Sequence, residues 1–263
     1  DGYVSATIKS PVHGETVLGH KRIPRGWKGF TPKSKNIFLL DHHLAHFWSN
    51  TKTNPNDFGI ILDGLGSGNY SSYTLNHPIL PDLRQSFTSY GEPLSTLGEM
   101  CGLSSDIPRH LRGIDLPGKI MGMYAYGKPD PFYVSALQSL LPHHVELFID
   151  YIENYNTDPN PNNQEFLNLV STVFDALYIG VRKYFEPFEK LKSPITYMGG
   201  VALNVNWNRW LLDDGYNLNI EPHVYDGGLS VGCLRFLAGK FDEELDFGDF
   251  PYIQNDECPD GKP

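Results

Sequence analysis

The sequence predicts an α/β protein, because apolar runs of strand length lead directly into turn residues and then into helix starts. Three stretches show this order. Residues 37–40 precede an aspartate and a short helix, residues 194–198 precede two glycines and a helix, and residues 220–232 repeat the arrangement. Short strands that alternate with helices in this way are typical of α/β proteins.

The composition indicates an acidic protein that is long enough for one large or two small domains. The 263 residues carry a formal net charge of −10, and no run is long and apolar enough to cross a bilayer. Cys101, Cys233 and Cys258 show no metal-ligand spacing and leave at least one cysteine unpaired. We therefore expect a soluble, cytoplasmic protein with no membrane contact and no disulfide framework.

Both ends of the chain predict a fragment of a longer protein. The first residue is Asp1, and the last residues have the polar composition of a turn. The basic residues of the first third concentrate in segment 21–35, which could face an anionic substrate such as DNA. A solvated surface loop is the more common use of such a segment.

The first candidate site is the sequence DHHLAH at residues 41–46, which follows a predicted buried strand. Asp41 suits the N-cap of a helix, and residues four apart lie on one helical face. His42 and His46 can therefore direct two imidazoles at one point, while His43 points elsewhere. Imidazole is the commonest metal ligand, so this pair predicts a metal site, with a merely polar helix start as the alternative.

Residues 58–75 predict a β-hairpin with Asp63 at the end of its first strand. Asp63 can supply an oxygen to the metal held by the two histidines. The turn that follows contains Gly64, Gly66 and Gly68, whose backbone N–H groups could face an anion. A hairpin without a ligand is the alternative.

Four helices are predicted in the middle of the chain. The first lies around residues 94–103 with Ser95 and Thr96 as caps, and the second covers residues 118–127. Lys119 in the second could serve an anionic group, although a surface lysine is the alternative. The other two cover residues 132–141 and, as a long amphipathic core helix without chemistry, residues 166–188.

The final third predicts a phosphate or nucleotide site where a strand runs into a helix. Gly199 and Gly200 follow the strand at residues 194–198, and free N–H groups converge at such a helix start. Asn204, one turn into the helix, could contact a ribose or a base. Farther along, Asp226 is followed by a second glycine pair and a second helix. Either segment alone is also compatible with ordinary α/β turns.

Five motifs in the same chain carry a resemblance to a known family. They are DHHLAH, ILDGLGSG, GKIMGMYAYGKPDP, MGGVALNVNWNR and PHVYDGGLSVGC, and together they extend from Asp41 to Cys233. In this order they resemble the O-carbamoyltransferases of antibiotic and nodulation-factor biosynthesis. They are also similar to the carbamoyl-transfer domains of hydrogenase maturation and of tRNA threonylcarbamoylation.

The resemblance implies a duplicated ribonuclease-H-like fold, as in actin, sugar kinases and Hsp70-type chaperones, with nucleotide held between two lobes. Residues 1–249 would form the carbamoyl-transfer domain, without the first phosphate-loop segment that the family places near its N-terminus. Residues 250–263 would be a linker towards an absent C-terminal domain that forms carbamoyladenylate. The chain would then be truncated at both ends.

The resemblance also implies the site. The metal ligands would be His42, His46, Asp63 and Asp226, which suit Fe²⁺, with Mg²⁺, Mn²⁺ or Zn²⁺ as alternatives. His43 could accept a proton beside the metal, with a buried or surface histidine as the alternative, and Lys119 could assist. The residues implied to bind the nucleotide are Gly64, Gly66, Gly68, Gly199, Gly200, Asn204, Gly227 and Gly228.

The implied reaction moves a carbamoyl group from carbamoyladenylate, made from ATP and carbamoyl phosphate, to a hydroxyl acceptor. The first specific acceptor to consider is a 5-hydroxymethylpyrimidine in DNA, and a sugar or antibiotic hydroxyl comes next. Three alternatives stay open. An ATP-dependent sugar kinase would not need paired histidines, and a metallopeptidase would need a glutamate between them. The third alternative is a non-catalytic nucleotide-binding remnant. An oligomer is also possible.

Overall fold

The computed structural model describes residues 2–6, 15–19, 36–67, 70–76, 89–108, 112–141, 144–189 and 193–247. In these residues the chain forms eight α-helices and seven strands, which confirms the α/β class. The predicted linker at 250–263, the basic segment 21–35 and Gly68 lie outside them. None of the described helices has both the length and the apolar content needed to cross a membrane.

The larger sheet has four strands among the described residues and supplies the edge on which the candidate site lies. The strands are β4 (Phe58–Leu62), β5 (Ser72–Leu75), β6 (Ile195–Met198) and β7 (Leu218–Asn219), in the order β5-β4-β6-β7. β4 and β5 form the predicted antiparallel hairpin, whereas β4 with β6 and β6 with β7 are parallel. The carboxyl ends of β4 and β6 therefore meet at one edge.

The described part of the smaller sheet has three strands: β1 (Gly2–Ala6), β2 (Glu15–Gly19) and β3 (Asn36–Leu40). β3 lies in the middle, parallel to β1 and antiparallel to β2. Helix α1 (His42–Ser49) follows β3 directly, and α8 (Leu229–Lys240) packs against both α1 and β1. The first and last described helices thus lie together.

The remaining helices differ from their predicted bounds mainly at their ends. Helix α2 (Glu92–Met100) begins before Pro93, so Ser95 and Thr96 do not cap it. Their hydroxyls instead donate to carbonyls one turn earlier, at Gly91 and Glu92. The other helices are α3 (Arg112–Met123), α4 (Pro131–Gln138), α5 (Glu146–Asn154), α6 (Gln164–Lys183) and α7 (Val205–Asp213).

Helix α6 is the predicted core helix, and most of its apolar residues are buried in the hydrophobic core that also contains residues of β4 and β6. It ends at Lys183, so Tyr184 and Phe188 continue the apolar pattern from a turn beyond the helix. Asn163 caps its N-terminus by accepting a hydrogen bond from the backbone of Glu165. Helix α5 was not predicted, although Phe148 and Ile152 lie four residues apart and are fully buried.

Candidate metal centre

Two histidine side chains meet on one face of α1, as their spacing predicts. The Asp41 carboxylate accepts a hydrogen bond of 3.0 Å from the Leu44 backbone N–H and so caps the helix where β3 ends. The rings of His42 and His46 are 4.9 Å apart between centroids, and both side chains are buried. Their Nε2 atoms face the same point beyond the end of β4.

Asp63 lies at that point, immediately after β4. Its Oδ2 accepts hydrogen bonds from His42 Nε2 at 2.9 Å and from His46 Nε2 at 3.1 Å. Its Oδ1 accepts from the backbone N–H of Gly200 at 2.9 Å, which fixes the carboxylate between the hairpin and the turn after β6. The neighbouring Gly199 has φ of +94°, a conformation that favours glycine, and an added Cβ would lie 2.1 Å from the Leu62 carbonyl oxygen.

Asp226 completes the cluster from the turn that precedes α8. Its Oδ1 lies 3.4 Å from His42 Nε2 and 3.3 Å from His46 Nε2. Its side chain is 67% exposed, whereas the other three side chains are nearly inaccessible. One ligand atom from each of the four residues lies within 4.8 Å of all the others, so the cluster could hold one metal ion.

The two carboxylates of the cluster raise the pKa values of both histidines and so favour their protonated, positively charged forms. Burial would lower the pKa of His42, but hydrogen bonds and charge from Asp226 and Asp63 outweigh it and raise that pKa to about 9. Burial would also lower the pKa of His46, but the charge of Asp63 outweighs that effect and raises the pKa. Burial would raise the pKa of Asp63, but the two histidines hold that pKa well below 3.8. Hydrogen bonds from the same histidines lower the pKa of Asp226 to about 2.

The pKa shifts in the cluster indicate that its four residues suit a metal ion. Two carboxylates that share one small space require positive charge between them, which protons on the histidines supply in the metal-free protein. A divalent ion would supply the same charge and leave the histidines neutral, the form that ligates metals. Two imidazole nitrogens and two carboxylate oxygens, one of them exposed, suit a first-row transition ion with an open position.

The stability of the metal-free protein is expected to fall as pH rises from about 6 towards about 9. The folded-state pKa of His42 lies above its unfolded value of 6.5, so the protonated ring stabilises the fold fully below 6.5 and loses that effect as pH passes about 9. The part of this loss that comes from His42 is about 3 kcal/mol. Urea unfolding with a chelator present measures it, and the His42→Gln variant should show a flatter pH dependence. An unchanged pH dependence in that variant would contradict the assignment to His42.

A cavity of about 400 Å³ opens beside the cluster and has the size of a small-molecule site. Asp63 and Asp226 line its end nearest the histidines. Gly64, Gly200 and Asn204, which were predicted to bind a nucleotide, also line it. The rest of its wall is mostly apolar or glycine, with Leu65, Leu94, Pro117, Met121, Leu203 and Trp207 as its larger members.

Asn204 lies in the cavity wall in a different role from the predicted one. It is the N-cap of α7, not a residue one turn inside a helix, because a short 3-10 turn at Gly200–Leu203 precedes it. Its Oδ1 accepts a hydrogen bond of 3.1 Å from the Trp207 backbone N–H. A ligand contact from this residue would therefore use the side-chain amide group.

The structure does not bring His43 or Lys119 into the cavity wall. His43 is buried against Tyr73 and under Gly66, where an added Cβ would lie 2.3 Å from the histidine ring. Lys119 is exposed, and its ammonium donates to the carbonyl of Leu103 at 3.3 Å. Neither position supports the proton-transfer or anion-binding role predicted for the residue.

Several of the predicted ligand glycines serve close backbone packing. An added Cβ would meet the Tyr225 ring at Gly227 and the His223 carbonyl oxygen at Gly228. Neither of these two glycines lines the cavity, and the same is true of Gly66 and Gly199.

Sequence reasoning did not identify two aromatic residues of the site. Tyr225 lines the cavity beside Asp226, and the indole of Trp207 is buried in its wall with no hydrogen-bond partner at Nε1 among the described residues. Tyr225 stands directly before a predicted ligand, which was an available signal. Trp207 lies on the apolar face of a helix, where a sequence pattern indicates only core packing.

No protein-family model matches this chain, and no curated protein matches it significantly. No family is therefore assigned to it.

Proposed function

We propose that this chain binds one divalent metal ion and performs the transfer step of an O-carbamoyltransferase. The observation that carries the proposal is the cluster of His42, His46, Asp63 and Asp226 at the end of a cavity large enough for a small molecule. The order of the five motifs supplies the reaction class. A sugar kinase would give the two buried histidines no role.

The donor set makes Fe²⁺ the first candidate, with Mn²⁺, Zn²⁺ and Mg²⁺ as alternatives. When bound, such an ion would polarise the carbamoyl carbonyl and stabilise negative charge on its oxygen. His42, His46 and Asp63 provide the buried part of the site, which keeps its geometry fixed. Asp226 provides the exposed part and faces the space that substrates enter.

In the proposed reaction the acceptor oxygen forms a bond to the carbamoyl carbon of carbamoyladenylate. The bond from that carbon to the phosphate oxygen breaks, AMP leaves, and the hydroxyl proton passes to solvent. Asp226 is exposed and lines the cavity, so we assign to it a hydrogen bond from the acceptor hydroxyl. The adenosine part of carbamoyladenylate, which is formed from ATP and carbamoyl phosphate, would occupy the apolar part of the cavity beside Gly200 and Asn204.

The acceptor is proposed as a hydroxyl group on an otherwise unspecified compound. The described part of the cavity wall contains two carboxylates and neither lysine nor arginine, which favours an acceptor without negative charge next to the reacting hydroxyl. A 5-hydroxymethylpyrimidine in DNA stays the first specific candidate, followed by sugar and antibiotic hydroxyls. Segment 21–35, the expected DNA contact, lies outside the described residues.

The duplicated ribonuclease-H-like architecture is part of the same proposal. It is supported by two separate sheets, each containing a parallel strand pair, with a helix following β3 in one and a turn and helix following β6 in the other. The cluster draws on both regions, since α1 follows the smaller sheet and Asp63 follows β4 of the larger one.

The test is to supply the metal-loaded chain with carbamoyladenylate and, in parallel, with a hydroxymethylated nucleoside, an oligonucleotide containing it, and neutral sugars. We expect one acceptor to gain one carbamoyl group by mass spectrometry. Asp226→Asn should slow this transfer by at least about 100-fold, because it removes a charged ligand at the reacting end. Asp213→Asn is the matched control, since Asp213 pairs with Arg209 on the exposed face of α7. Equal rates in the wild type and in Asp226→Asn would contradict the proposal.

A further inference from the structure

The C-terminal end of α1 is held by three side chains from a distant part of the sequence, Glu221, His223 and Arg235, which we call the α1 clamp. The last carbonyls of a helix have no partner inside the helix and need one elsewhere. Arg235 donates from Nη1 to the carbonyl oxygens of Trp48, at 2.9 Å, and Asn50, and from Nη2 to that of Thr53 at 3.0 Å. One guanidinium thus binds three carbonyls at and just beyond the end of α1.

The other two clamp residues bind the same segment from beside Arg235. His223 donates from Nε2 to the Ser49 carbonyl oxygen at 2.7 Å. Glu221 accepts hydrogen bonds from the Thr51 backbone N–H at 2.7 Å and from the Thr51 hydroxyl at 2.6 Å. Glu221 is almost completely buried; burial lowers the pKa of Arg235, and the negative charge of Glu221 opposes that shift. The clamp is therefore a partly buried, charge-assisted network.

The chain positions of the clamp residues connect them to the metal cluster. Asp226 lies between His223 and Arg235 in the sequence, on the turn that opens α8. His42 and His46 lie on α1, the helix that the clamp holds. Each clamp bond therefore fixes the segment that carries one carboxylate ligand relative to the helix that carries both histidines.

The histidine rings depend on the position of this helix more than ligating histidines usually do. A ligating histidine commonly donates its second ring nitrogen to a partner that fixes its orientation. The Nδ1 atoms of His42 and His46 are buried and have no hydrogen-bond partner among the described residues. Their Nε2 atoms therefore point where α1 and its packing direct them.

We propose that Glu221, His223 and Arg235 are positioning residues that set the geometry of the metal site by fixing α1 against the turn that carries Asp226. The inference rests on the metal site proposed above. It adds that the distance between the histidine pair and Asp226 is controlled by contacts at the C-terminal end of α1, with no clamp atom acting as a metal ligand.

The test measures Co²⁺ binding and the visible absorption of bound Co²⁺, which reports coordination geometry, in the full chain. Arg235→Met is expected to weaken Co²⁺ binding by about 10- to 100-fold, the range seen when outer partners of metal ligands are lost, and to change the spectrum. Arg235→Lys keeps a cation opposite Glu221 but loses the fork geometry, so its affinity should lie between those of Arg235→Met and the wild type.

Arg182→Met is the matched control for loss of a charged network. Arg182, on α6, pairs with Asp214 at 2.8 Å and with Glu189 at 3.0 Å. None of these three residues lines the cavity or belongs to the metal cluster. Its removal should reduce stability while leaving the Co²⁺ affinity and spectrum at wild-type values. A merely structural role for Arg235 would predict the same result for both methionine variants.

The outcomes separate this inference from the proposed function. Wild-type affinity and spectrum in a folded Arg235→Met protein would overturn the clamp while leaving the metal site intact. If Arg235→Met does not fold, wild-type values in Arg235→Lys would overturn the clamp in the same way. Failure of the wild-type protein to bind Co²⁺ would instead overturn the metal site and the clamp with it.

Discussion

Replacing His46 with alanine is expected to remove metal binding from this protein. His46 is completely buried, and its Nε2 lies 3.1 Å from Asp63 and 3.3 Å from Asp226, so no other described side chain can take its place. We expect the wild type to retain close to one equivalent of a divalent metal after reconstitution and desalting. The variant should bind it at least about 100-fold more weakly, beyond the usual effect of losing an outer partner. Elemental analysis and titration measure both quantities.

The matched control is His144→Ala. His144 is an exposed histidine that pairs with Glu146 at 3.2 Å, so its loss removes an imidazole without touching the cluster. His46→Gln preserves more of the buried volume and separates loss of a ligand from loss of packing, with circular dichroism as the measure of folding. Full metal content in folded His46→Gln would contradict the assignment of His46 as a ligand of the proposed centre.

The local parts of this site could be predicted because they follow from short-range rules. Helical spacing alone places His42 and His46 on one face, and an aspartate after a strand run predicts the helix cap at Asp41. The glycine-rich turn likewise predicts the hairpin that ends its first strand at Asp63. Each of these inferences needs only a window of a few residues, and the structure has each feature at the expected place.

The meeting of Asp226 with the other three ligands does not follow from any short window. It requires β4 to pair in parallel with β6 and α8 to cross α1, and both are long-range arrangements. At the sequence level only the family resemblance linked Asp226 to the histidines. Neither the short-range rules nor the family resemblance predicts the α1 clamp, because nothing in the local sequence distinguishes Arg235 or Glu221 from charged surface residues.

Helix α3 shows how packing overrides a local rule. A proline is typical of the first helical turn and not of a helix interior. The sequence predicted this helix at residues 118–127, directly after Pro117. The helix instead begins at Arg112 and contains Pro117 in its interior, where the missing N–H leaves the Gly113 carbonyl without its helical partner. Leu116 and Ile120 on the same helix are fully buried, and this burial offsets the cost of the proline.

The close crossing of α1 and α8 leads to the second large expected effect, for Gly232→Ala. An added Cβ at Gly232 would lie 1.8 Å from the backbone carbonyl oxygen of Ala45, which cannot yield unless α1 moves. Overpacking typically lowers the free energy of unfolding by about 1 to 3 kcal/mol, and a clash with a backbone atom should fall at the upper end of that range. Because Ala45 directly precedes His46, the same displacement should also weaken metal binding.

Gly239→Ala tests the same substitution in the same helix without the clash. Nothing lies within 4 Å of an added Cβ at Gly239, so the better helix propensity of alanine should leave stability unchanged or raise it by up to about 1 kcal/mol. Urea unfolding of the two variants gives the comparison, and a Co²⁺ titration of each shows whether the histidine pair has moved. Equal stabilities would mean that α1 and α8 lie farther apart than the structure shows, and the clamp would then lose the close helix pair on which it acts.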